Sequence, residues 1–260
     1  MATTIYTPVM LRGAGTRGVP EIPVGSSFSN TYSMEFDGAD ECVDCGNNSS
    51  LQPTTSITLS CWMKETTLAW GYDTLIGQDH SGWGGTYNGY ELQALIHTNN
   101  LMYLNFIIGD GTATQSLTWS GGTYYTDTWY HVMATFDGST MKVFVNGVEK
   151  ASSSVSATIS YDASQNTYIG RKGHAQPGFF WNGGIDEVSI WSNDQSANAT
   201  TIYNSGTPTD LSGETGLAGG WRMGEGATFS TNWTIPDDST NSNTGTSDNM
   251  DAVDRVADVP

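Results

Sequence analysis

The sequence predicts an all-β protein: a two-sheet antiparallel β-sandwich preceded by an extended N-terminal arm. Three observations carry that prediction. Apolar residues alternate with polar ones over short runs, the period of a strand with one buried face. Turn dipeptides such as Asp37-Gly38, Asp137-Gly138 and Asn146-Gly147 end those runs. The polar residues are mostly Ser, Thr, Asn and Gly, which suit strands and turns and weaken helices.

Residues 1–31 read as the arm. Pro8, Pro20 and Pro23 stand among glycines with no sustained periodicity, and Arg12 and Arg17 make the segment locally basic on an acidic chain. Contact with another chain is the expected use of an arm so poor in core residues, a disordered tail the alternative. Tyr32, Met34 and Phe36 then alternate with Ser33 and Glu35. Ile57, Leu59, Cys61 and Met63 form a cleaner alternation, with Thr58, Ser60 and Trp62 on the other face. Residues 73–78, 90–97 and 101–108 read as strands. Tyr130, Val132, Ala134 and Phe136 share one face, and Met141, Val143 and Val145 return after the Asp137-Gly138 turn. Further strands are expected at 166–170, 179–181, 184–191 and near 217–223. Only 197–204 looks helical, with Ser196 as its N-cap. Residues 235–249 read as loop. The domain is expected over 32–247, followed by an acidic C-terminal tail, 248–260.

Charge narrows the function classes. The chain of 260 residues carries 27 acidic against 9 basic groups, a net charge of −18. Such a field repels phosphate, which argues against nucleic acid and anionic lipid as partners. No run of 18 apolar residues is present, so no membrane insertion is expected. Met1 to Pro8 lacks the basic and apolar regions of an export signal. The three cysteines are an odd number, which does not suggest a disulfide framework.

Five stretches, in order, resemble one family. They are Tyr32-Ser33-Met34-Glu35-Phe36-Asp37-Gly38; the hairpin from Trp129-Tyr130-His131-Val132 to Val143-Phe144-Val145-Asn146-Gly147; Gly184-Ile185-Asp186-Glu187-Val188; Ile202-Tyr203-Asn204-Ser205-Gly206; and Trp221-Arg222-Met223-Gly224-Glu225-Gly226. Together they resemble laminin-G-like jelly rolls of the concanavalin A-like lectin/glucanase group, similar to those in bacteriophage structural proteins. The resemblance implies a two-sheet jelly roll over residues 32–245. It also implies one structural calcium ion where the first strand's turn meets a late strand, with Asp37, Asp40 and Asp186 as candidate ligands. Turn-capping aspartates are the alternative.

Catalysis is not expected, and no catalytic residue is assigned. Glucanase relatives carry a motif resembling Glu-x-Asp-x-x-Glu, but here Gly184 and Ser189 occupy the outer positions around Asp186. Simple alternation sends the adjacent Asp186 and Glu187 to opposite faces. The histidines His80, His97, His131 and His174 show no metal-binding spacing, and His131 reads as a sheet-face residue. Cys42-x-x-Cys45 lacks the further ligands that zinc requires.

Sugar binding has a candidate in the Gly-rich loop 79–89. Trp83 and Tyr87 stand there beside Asp79, His80 and Asn88: rings for stacking on the apolar faces of sugars, polar groups for their hydroxyls. The same rings could instead pack on a neighbouring subunit. The expected function is a non-enzymatic virion protein, a phage capsid-decoration, head-fibre or tail component assembled in the host cytoplasm. It would display a lectin-like domain on the particle surface and bind host glycans. Its partners would be other virion proteins and copies of itself, engaged through residues 1–31. A stand-alone carbohydrate-binding module or lectin is the alternative.

Overall fold

The computed structural model describes residues 28–68, 71–78, 88–173 and 179–260. Among these residues the chain forms β1 (Ser33–Asp37), β2 (Cys42–Asp44), β3 (Ile57–Glu65), β4 (Asp73–Gly77), β5 (Asn88–Ile96) and β6 (Met102–Asp110). These are followed by β7 (Thr114–Gly121), β8 (Tyr130–Phe136), β9 (Thr140–Val145), β10 (Val148–Ser154), β11 (Tyr168–Ile169) and β12 (Asn182–Trp191). A short helix α1 (Ala199–Tyr203) intervenes before β13 (Leu217–Trp221), β14 (Thr228–Phe229), β15 (Trp233–Ile235), β16 (Gly245–Asp248) and β17 (Arg255–Val256).

One sheet runs β10-β9-β8-β3-β12-β1-β17, with β13 also paired to β12. The other runs β14-β15-β16-β2-β11-β4-β5-β6-β7. All described pairings are antiparallel. The expected sandwich is therefore present, and alternation builds it. Ile57, Leu59, Cys61 and Met63 of β3 register against Phe136, Ala134, Val132 and Tyr130 of β8. Both sets face the core, where Tyr90, Leu92, Ala94 and Ile96 of β5 and Leu104, Phe106 and Ile108 of β6 meet them. Trp181 and Trp221 are fully buried in the same core, each holding its indole N–H on a backbone carbonyl (Gly184 at 3.3 Å, Asn243 at 2.7 Å).

Several elements differ from the sequence reading. β7, β10 and β14 lie at sheet edges, where little apolar surface is buried and no alternating pattern is required. β16 falls inside the expected loop 235–249, and residues 179–181 are irregular, the strand starting at Asn182. The helical region begins with a 3-10 turn at Ser196–Asn198, and Ser196 does not cap it. Instead Gln195 holds the cap position, and the Ser196 N–H donates to Asp194 Oδ1 at 2.9 Å. Residues 248–260 are not a detached tail. β17 pairs with β1, Ser33 Oγ donates to the Asp258 carbonyl at 2.6 Å, and the Asp258 carboxylate takes the ammonium of Lys64. Of the arm, residues 1–27, with Arg12 and Arg17, lie outside the described residues.

No helix of the described residues is long and apolar enough to cross a membrane.

Candidate functional site

Among the described residues, two places bring chemistry-bearing side chains together in a way that could hold a ligand. The first is an irregularity in β12. Ile185, Val188 and Ile190 all point into the core, so one extra residue stands between 185 and 188. The pairing with β3 shifts register between Asp186 and Ser189, and Glu187 takes a left-handed backbone conformation with φ +46°. This is a β-bulge, which re-aims the side chains around it. Alternation would place Asp186 and Glu187 on opposite faces. The bulge overrides it, and their carboxylate oxygens lie within 4.8 Å of one another and of Glu225, in the turn after β13.

The chain just before β1 closes over this cluster. Asn30 Nδ2 donates to Asp186 Oδ2 at 2.8 Å, and the Tyr32 N–H donates to Glu225 Oε1 at 2.9 Å. Arg222 gives its Nε–H to Glu187 Oε1 at 3.1 Å and lies 4.1 Å from the Phe28 ring centroid. Burial, reinforced by the charge of Glu187, pushes the Asp186 carboxyl well above the usual carboxylate range. Burial pushes Glu187 up to about 7 despite the Arg222 guanidinium, which pulls the other way. Two buried oxygens here, Glu225 Oε2 and Asn30 Oδ1, accept no hydrogen bond. Three carboxylates with unmatched acceptor oxygens make an all-oxygen donor set of the kind a hard cation such as calcium takes, and the Arg222 guanidinium offsets part of their charge without coordinating.

The calcium ligands expected from the resemblance are not gathered. Asp37 registers against Asn182, four residues along β12 from Asp186, which at strand rise is about 13 Å. Asp37 Oδ1 instead accepts the backbone N–H groups of Ala39 at 2.7 Å and Asp40 at 3.3 Å, the turn-capping alternative. Asp186 finds its companions in Asn30, Glu187 and Glu225.

The second place is an open groove of about 480 Å³ on the outer face of the second sheet. Antiparallel register sets Tyr168 beside Asp44 and Asp44 beside Thr246, in one row across β11, β2 and β16. Asn166 Nδ2 reaches both Asp44 oxygens, at 3.1 and 2.8 Å, and the Gly46 N–H donates to Oδ1 at 2.8 Å. Arg171 sits over Tyr168, its guanidinium carbon 3.9 Å from the ring centroid. Asn232 and Asp248 line the groove as well. A trough with fixed acceptors, amide donors and a guanidinium is suited to hydroxyl-rich ligands.

Of the expected sugar-binding residues, Asp79, His80, Trp83 and Tyr87 lie outside the described residues. Asn88 opens β5 opposite Asp110 and does not line the groove. His131 is buried on the sheet face, its Nε2 2.7 Å from Ser60 Oγ, and burial lowers its pKa to about 3. Burial pushes the Cys42 thiol up to about 12, so it is no nucleophile at neutral pH. Sequence reasoning missed Asp44, Asn166, Tyr168 and Arg171. It saw Glu225 only as part of a fold motif.

Comparison with known proteins agrees with the architecture. The chain resembles a candidate carbohydrate-binding protein from Bacteroides ovatus at TM-score 0.62 and 19% identity, over 86% of this chain and 60% of that one. It thus spans less than two thirds of that protein. It resembles the CBM40 of Ruminococcus gnavus IT-sialidase at TM-score 0.54 and 13% identity, over 67% of this chain and 99% of that one. It resembles a heptameric SAP-like pentraxin of Limulus polyphemus at TM-score 0.51 and 14% identity, over 67% and 82%. No curated protein sequence matches the chain. The family model described as the concanavalin A-like lectin/glucanases superfamily, of laminin-G type, matches residues 37–200, and the chain belongs to that superfamily.

Proposed function

We propose that this domain binds carbohydrate without transforming it, in the groove formed by β2, β11 and β16. The observation that carries the reading is the set of Asp44, Asn166, Tyr168 and Arg171 lining one open groove, with Asn166 hydrogen-bonded to Asp44 and Arg171 over the Tyr168 ring. The likeness to a CBM40 solved with α2,3-sialyllactose supports the ligand class. Asp186, Glu187 and Glu225, with Asn30, hold a calcium ion that fixes the chain entering β1.

A glycan array with neutral and sialylated members, followed by calorimetry on each hit, tests the groove. Asn166→Ala and Asp248→Ala should each weaken retention roughly ten-fold or more while leaving the melting temperature in place. Retention of no glycan, or equal retention by both variants, would sink the reading.

Display on a virus particle, with residues 1–31 as the docking arm, is the second reading. The described end of that arm supports it. Asn30, Thr31 and Tyr32 are hydrogen-bonded to Asp186 and Glu225, so a load on the arm would pass directly to the sandwich. Deleting residues 1–27 should abolish self-association in light scattering without changing glycan retention. An unchanged oligomeric state would count against it.

A further inference from the structure

The groove across β2, β11 and β16 holds a cation that the protein itself leaves unpaired. With 27 acidic against 9 basic groups, carboxylates are plentiful. Lys64, Lys142, Lys172 and Arg222 are each ion-paired to one. Arg171 is not. Among the described residues no carboxylate stands within ion-pairing distance of its guanidinium. Its Nε–H goes to the Lys172 carbonyl at 3.2 Å, and its guanidinium carbon sits over the Tyr168 ring. Those contacts anchor the group without neutralising its charge.

Two carboxylates line the same groove, and neither reaches it. Asp44 is engaged elsewhere: Asn166 Nδ2 donates to both of its oxygens and the Gly46 N–H to one. Asp248 is on the far strand. It stands in register beside Cys42 of β2, while Arg171 lies two residues past the end of β11, on the other side of β2. Two strand spacings, about 10 Å, separate those positions. Both charges act on the buried Cys42 thiol between them, Arg171 lowering its pKa and Asp248 raising it. The groove thus has a cation on one side of Cys42 and an acceptor on the other, a gap that a sugar ring with its substituents spans.

The two groups define the ligand. The guanidinium fork offers parallel N–H donors that match the two oxygens of one carboxylate. The Asp248 carboxylate is exposed and holds no hydrogen bond among the described residues, so it accepts hydroxyl protons and repels further negative charge. One guanidinium in a chain of net charge −18 offsets one negative charge, not the several of a sulfated chain. We propose that the groove selects sugars bearing a carboxylate, with Arg171 taking the carboxylate and Asp248 a hydroxyl of the same residue; this rests on the groove being the carbohydrate site. Uronic and sialic acids both supply that chemistry.

The test is calorimetry on the full chain, comparing each acid with its neutral methyl ester. A galacturonate trimer and sialyllactose are the two probes, and the one that discriminates identifies the source. At least one acid should bind roughly ten-fold or more tighter than its ester, and added salt should narrow the ratio. In Arg171→Gln acid and ester should bind alike. The ratio is read within one protein, so a general loss of binding does not imitate it. Arg171→Lys, which keeps the charge and loses the fork, should retain only part of the ratio and serves if Arg171→Gln does not fold. An ester that binds as tightly as its acid overturns this inference and leaves the groove reading in place. So does a ratio that persists in Arg171→Gln, or a heparin-derived sulfated oligosaccharide that outcompetes both acids. Retention of no glycan, acidic or neutral, overturns the groove reading and this inference with it.

Discussion

Replacing Gly183 by alanine is expected to cost more than about 4 kcal/mol, a loss reserved for a few structural mechanisms. The position is closed on both counts that matter. Its φ of +134° is a backbone conformation that side chains oppose, and a Cβ there would stand 2.0 Å from the Lys64 carbonyl oxygen and 3.0 Å from Glu65 Cα. Both obstacles are backbone, in a strand that cannot step aside. Gly183 registers against Glu65 of β3 and Phe36 of β1, so any retreat breaks both ladders at the centre of the sheet. At about 2–4 °C per kcal/mol for a domain of this size, the midpoint should fall by ~10 °C or more, or the protein should be insoluble. Gly46 is the control. It also has positive φ, +72°, but an added Cβ meets nothing within 4 Å, so Gly46→Ala should cost only the backbone strain of about 1–2 kcal/mol. A Gly183→Ala protein melting as high as Gly46→Ala would show that the backbone yields.

That glycine marks where the sequence was legible and where it was not. The apolar alternation of β3, β8 and β9 reports the core directly, because each inward side chain there is buried between two sheets. β7 and β10 left no such trace because edge strands need no apolar face. The cation cluster was half-readable. Asp186 was singled out, but its assumed companions Asp37 and Asp40 came from chain position along a motif, and register places Asp37 four residues away. Its actual companions depend on a bulge at Glu187 and on the return of residues 221–225, neither of which has a local signature. The groove was invisible for the same reason. Asp44, Tyr168 and Thr246 lie in distant parts of the chain and become neighbours only through the order β16-β2-β11.

Millimolar calcium should raise the melting midpoint by about 5–10 °C over the same protein in EGTA, at about pH 8. A ligand at a hundred times its dissociation constant adds about 2.7 kcal/mol to the folded state, which at this chain length is a shift of that size. The dependence on pH has a definite sign. Burial raises Asp186 and Glu187 in the metal-free fold, Glu187 to about 7. Groups raised above their unfolded values favour folding while protonated, and that contribution is lost as pH climbs through the folded values. The metal-free protein therefore loses the contribution of Glu187 as pH climbs to about 7, and that of Asp186 as pH climbs through its own raised value, while calcium requires their charged forms. The calcium-dependent gain should be greatest above about pH 7 and vanish near pH 5. Variants then decide which carboxylates hold the ion. Asp186→Asn and Glu225→Gln should abolish the shift, and the double substitution of Asp37 and Asp40 by alanine should leave it intact. A shift lost in the Asp37/Asp40 variant and kept in Asp186→Asn would move the site to the β1 turn, and equal midpoints in calcium and EGTA would remove the ion altogether. In that last case protons on Asp186 and Glu187, the two carboxyls that burial raises, would supply the missing donors, and the cluster would be an acid-stabilised clasp on the chain entering β1.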